Sequence, residues 1–67
     1  MNQRIEHLFR LREEFQLEVD PVVKKQLRDK LFAGVRAFLK ENDLAMSEWQ
    51  FITATRSIYK NWKDNPH

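Results

Sequence analysis

Few side chains in this sequence are of types that do chemistry, and their spacing does not assemble them. The two histidines, His7 and His67, stand near opposite ends of the chain. His7 has Glu6 and Arg10 beside it but no second ligand one helical turn away, as an H-E-x-x-H site would require; it reads as a surface or rim residue. Ser57 has no histidine near it in sequence to act as a base. Ser47 is better explained as a helix cap. The carboxylate pairs Glu13-Glu14 and Glu41 with Asp43 flank helix ends and exposed faces. The single glycine, Gly34, rules out a glycine-rich phosphate loop, and the absence of cysteine rules out thiolate metal sites and disulfides. No catalytic residue, metal site or cofactor is expected. The expectation is a protein that is not an enzyme.

The strongest local signal concerns architecture. Ser47 followed three residues later by Gln50 is a capping box, with Met46 and Phe51 at the two positions of a hydrophobic staple and Glu48 at the positive end of the new helix. A helix starts there with Trp49 in its first turn. Upstream, Asp20-Pro21 pairs an acidic N-cap with proline at the first helical position. From it Val23, Leu27, Leu31, Gly34, Val35 and Phe38 form one stripe of a long second helix. Gly34 lies mid-helix, where it lets another helix come close. Ile5, Leu8, Leu11 and Phe15, with Phe9 beside them, form the buried face of a first helix. Phe51, Ile52, Thr55, Ile58, Tyr59 and Trp62 do the same for a third. The expected fold is all-α: a single small domain, residues 1–67, built as a three-helix bundle over about 3–16, 21–41 and 48–63.

Sixty-seven residues carry five phenylalanines, two tryptophans and one tyrosine. So short a chain buries only about 60% of its unfolded surface, and such an aromatic load calls for reinforcement by self-association or a partner. Phe32 and Leu39 lie about 100° off the main stripe of the second helix, which predicts two contacting neighbours. Phe32, Leu39, Trp49 and Trp62 are the candidate interaction residues. The expected partner is a second copy, forming a homodimer, or a larger protein. Twelve basic and ten acidic residues leave +2, short of the excess of a dedicated nucleic-acid binder. Even so, Thr53, Arg56, Ser57, Lys60 and Lys63 fall opposite the core stripe of the third helix, beside Trp49. A small DNA-binding regulator reading through that helix is the alternative. No apolar run reaches membrane-spanning length and the N-terminal residues lack a signal-peptide core. A soluble, cytoplasmic protein without a membrane partner is expected.

From Pro21 to about Lys60 the chain resembles the helical N-terminal domain of the intradiol catechol and hydroxyquinol dioxygenases. The likeness rests on Pro21, Val23-Lys24, the apolar Leu27, Leu31, Val35 and Phe38, then Leu44 and Glu48-Trp49. Ala45 stands where that family has a threonine. The resemblance implies helix-mediated dimerisation and a groove for an apolar ligand between helices. It does not imply ring cleavage, because the family holds its iron with two tyrosines and two histidines on a separate β-rich domain; here Tyr59 is the sole tyrosine.

Overall fold

The computed structural model describes residues 3–65. Among these are four α-helices and no strand: α1 Gln3–Leu17, α2 Pro21–Glu41, α3 Glu48–Ala54 and α4 Arg56–Asp64. The fold is all-α, but the expected third helix is two helices. None of the helices is long and apolar enough to cross a membrane.

Side chains set the ends of these helices. Asp20 Oδ1 accepts from the Val22 and Val23 N–H groups at 2.9 and 3.4 Å, occupying two of the donors that a helix start leaves over. The far end of α2 closes in a Schellman turn: Leu44 N–H donates to the Leu39 carbonyl (2.9 Å) and Asp43 N–H to that of Lys40 (3.3 Å). Asp43, at φ 53°, supplies the left-handed residue that this turn needs. The capping box at α3 forms in both directions, Gln50 N–H to Ser47 Oγ at 3.2 Å and Ser47 N–H to Gln50 Oε1 at 2.8 Å.

The three-residue connector folds α1 back along α2, and an Arg4–Glu41 ion pair joins the start of one to the end of the other. Leu8, Leu31, Val35, Phe38, Leu39 and Phe51 form the main core, with the Phe38 and Phe51 rings 5.3 Å apart. Phe9, one residue on from Leu8 and so about 100° around α1, heads a second cluster. Its ring meets Tyr59 at 5.6 Å and Trp62 at 5.8 Å on α4. Ile5 packs against both clusters. Helix α1 therefore serves two apolar faces, which a single-stripe reading assigns to one.

Thr55 divides α3 from α4. Its N–H and its hydroxyl both donate to the Phe51 carbonyl, at 3.0 and 2.8 Å. The neighbouring Ile52 carbonyl takes Nη1 of Arg12 at 3.3 Å. Side-chain donors thus occupy carbonyls of the last turn of α3, an arrangement that bends helices. Past this break Ile58 lies at the surface. Expected in the core, it is 46% exposed, while Tyr59 and Trp62 stay buried.

Candidate interaction surface

Trp49 occupies the second position of α3 and is 65% exposed, the largest apolar side chain left to solvent among the described residues. It is not loose. Its ring meets that of Phe32 edge-to-face, centroids 5.2 Å apart. Beside it, Glu48 Oε1 accepts from Arg36 Nε at 2.9 Å, tying the start of α3 to α2. That hydrogen bond, with a smaller one from backbone, holds the Glu48 carboxyl below its ordinary pKa.

From Trp49 and Phe32 an open groove of about 360 Å³ runs between α1, α2 and α3. Leu31 and Ile52 line it with Phe15, Arg12 and Arg28. The cations are placed by ring faces: Arg28 lies 5.7 Å from the Phe32 centroid and Lys24 5.1 Å from that of Phe15. An aromatic wall with cations at its rim suits apolar groups that carry negative charge.

Arg12 and Gln16 also line a shallow cleft of about 370 Å³ with Arg56, Tyr59, Lys60, Lys63 and Asp64, so the two hollows adjoin. Arg12 sits 4.4 Å over the Tyr59 ring. Partial burial lowers its pKa, yet a guanidinium keeps its charge at any physiological pH. Tyr59 donates its hydroxyl to Gln16 Oε1 at 3.4 Å. Burial, then the charge of Glu13, raises the pKa of this phenol, with Arg12 opposing.

Of the four candidate interaction residues, the structure brings Phe32 and Trp49 together at one site. Leu39 and Trp62 are 6% and 7% exposed and pack in the two core clusters. Thr53, Arg56, Ser57, Lys60 and Lys63 are all exposed. Arg56, Lys60 and Lys63 converge on the cleft with Arg12, while Thr53 and Ser57 do not line it. The break at Thr55 also divides the expected reading helix, leaving Thr53 on α3 and the three cations on α4. Sequence reasoning missed Arg12, Phe15 and Arg28. A signal existed for one of them, since Arg28 precedes Phe32 by four residues and shares its helical face.

The candidate chemical groups stay apart. Ser47 is engaged as a cap, Glu41 pairs with Arg4, and His7 is exposed at the rim of a hollow between α1 and α2. No three His, Asp or Glu side chains among the described residues converge as metal ligands would. His67 lies outside the described residues. Comparison with protein-family models, curated proteins and solved structures finds no match. The likeness to the dioxygenase helical domain rests on the sequence positions quoted above.

Proposed function

We propose that this chain is a non-catalytic helical association module that holds a protein partner, or another copy of itself, in the groove walled by Phe32 and Trp49. The observation that carries the reading is Trp49: a tryptophan two-thirds exposed, fixed by a neighbouring ring at the mouth of an apolar groove. Burying such an anchor typically stabilises a complex by about 2 kcal/mol or more, and it is already ordered before a partner arrives. Rim cations favour an acidic approach. A photo-crosslinking phenylalanine analogue at position 49 tests this in the native cell. One dominant protein adduct is the expected result, and its mass tells a second copy from another protein. If only uncrosslinked chain is recovered, the reading fails.

A second reading, a small DNA-binding regulator, is favoured by the convergence of Arg12, Arg56, Lys60 and Lys63 on one cleft. Its affinity for DNA would fall steeply with salt. Replacing Arg56 and Lys60 by alanine would flatten the log–log slope by about 2, roughly 0.9 per lost phosphate contact. No binding near micromolar protein at low salt ends this reading.

A further inference from the structure

The chain carries, at the tip of the α1–α2 hairpin, a surface with the opposite chemistry to its groove. Leu17, Val19, Val22 and Val23 are all exposed there, Val19 to 92%. Glu14, Glu18 and Asp20 stand among them, and an apolar cluster of this kind marks a contact surface. The tip is held rigid by its own carboxylates: Glu18 Oε1 accepts from the Val19 and Asp20 N–H groups, both at 3.1 Å, and Asp20 caps α2. These bonds fix the backbone of the turn on which Val19 is exposed beside Val22 and Val23. The valines project as a preorganised knob that loses little freedom on docking.

The groove offers the counterpart. Its wall is Phe32, Trp49 and Phe15, and its charge comes from Arg12, Arg28 and Lys24. The ion pairs formed among the described residues are Arg4–Glu41 and Arg36–Glu48; the cations of the groove enter neither. Resting on the association reading above, we infer that the occupant of the groove is the hairpin tip of a second copy of this chain: Val19 and its apolar neighbours against Trp49 and Phe32, with the tip carboxylates against Arg28 and Arg12. Val22 and Phe32 are ten residues apart on α2, about 15 Å along its axis. Two hairpins overlapped antiparallel over that length seat both tips at once, so that a closed two-fold pair leaves neither knob nor groove unused.

Charge exchange tests this arrangement. One variant reverses the tip (Glu14→Lys) and another reverses the groove (Arg28→Glu), leaving the apolar knob intact. Both positions are exposed, so the helical circular dichroism should match that of the wild type. In sedimentation velocity the wild type should run as a dimer, and each variant alone should associate at least ~30-fold more weakly. An equimolar mixture of the two variants should regain dimer mass, since each tip then faces a groove of opposite charge. Loss of fold cannot produce that rescue. A wild type that stays monomeric overturns the second copy as occupant, and the crosslink at position 49 still decides whether another protein binds. Variants that dimerise like wild type, or a mixture that stays monomeric, overturn the tip-in-groove contact while leaving association itself standing.

Discussion

Leu8 packs against the bare backbone of Gly34, so closely that a Cβ on Gly34 would lie 2.6 Å from the Leu8 Cδ2 methyl. This contact brings α1 and α2 together at mid-length. Two effects oppose each other on adding the methyl group. Helix propensity favours Ala over Gly by about 1 kcal/mol, while overpacking a filled site costs about 1–3 kcal/mol. Leu8 is only 4% exposed, so the clash should win and Gly34→Ala should destabilise by about 0.5–2 kcal/mol in urea unfolding. In a Leu8→Val background, which lacks the offending methyl, the same substitution should become neutral or stabilising. An unchanged sign would show that the crossing is not set by this contact.

Asp43 is the reverse case, a position where glycine is missing. Its φ of 53° is left-handed, a region that costs most L-residues about 1–2 kcal/mol and aspartate somewhat less. Asp43→Gly should stabilise the chain by about 0.5–1 kcal/mol with no change in helix content. Asp43→Val should destabilise it, because a β-branched residue is strained there. Thermal unfolding of the two variants side by side checks both signs.

The two tryptophans should separate folding from association. Trp62, 7% exposed, is locked between Phe9 and Tyr59, so Trp62→Ala should cost about 3–5 kcal/mol. A chain of this size has a total stability of about 3–10 kcal/mol, and that variant should be largely unfolded at 37 °C. Trp49→Ala loses little beyond its edge contact with Phe32, about 0.5–1.5 kcal/mol, and should stay folded. Emission of the Trp49→Ala protein, reporting Trp62 alone, should be blue-shifted relative to wild type.

Acid should weaken the α2–α3 connection. The Glu48 carboxyl has a folded pKa below the ordinary 4.5, chiefly because Arg36 hydrogen-bonds the charged form. Its contribution is therefore complete above that ordinary value and is lost as pH falls through the depressed one. Carboxyl-carbon NMR should show Glu48 titrating low in the wild type and returning toward its ordinary value in Arg36→Ala. High salt should shrink the difference, since the pair is exposed.

How much of this was legible in the sequence depends on the range of the interactions involved. The caps at Asp20 and Ser47 could be read because each is a local bond spanning two or three residues. The stripe of α2 could be read because burial along a straight helix is periodic. The break at Thr55 could not. There Arg12, forty residues from Ile52, reaches the Ile52 carbonyl beside the local Thr55 bonds to Phe51, and Thr55 otherwise continues an apolar face. Leu39, off the main stripe of α2, is an anchor candidate by its angle, yet it joins the main core; Trp62, on the buried face of the third helix, packs with Phe9 and Tyr59. The groove was half legible: Trp49 and Phe32 stood out as aromatics off the core and Arg28 shares the Phe32 face of α2, but Arg12 and Phe15 join them only through the packing of α1 on α2.

Arg12 should accordingly behave as a joint and not as one more surface cation. It stacks on Tyr59 of α4, donates to Ile52 of α3 and belongs to α1. Losing both interactions in Arg12→Met, which keeps most of the bulk, should cost about 1–2 kcal/mol. The alkaline side gives a sharper sign. Burial raises the Tyr59 pKa above 10.0 while Arg12 pulls it down, so the neutral phenol is the form that the fold prefers. Stability from this group is complete below the ordinary phenol value and is lost as pH rises through the raised folded one. Removing the guanidinium leaves burial and Glu13 unopposed. Tyrosinate absorbance should then appear at higher pH in Arg12→Met than in wild type, and the alkaline loss of stability should be larger. An unchanged or lower midpoint would show that Arg12 is not held over the ring in solution. In that case the Thr55 bend must be maintained by its own hydroxyl, and Thr55→Val should straighten α3 into α4.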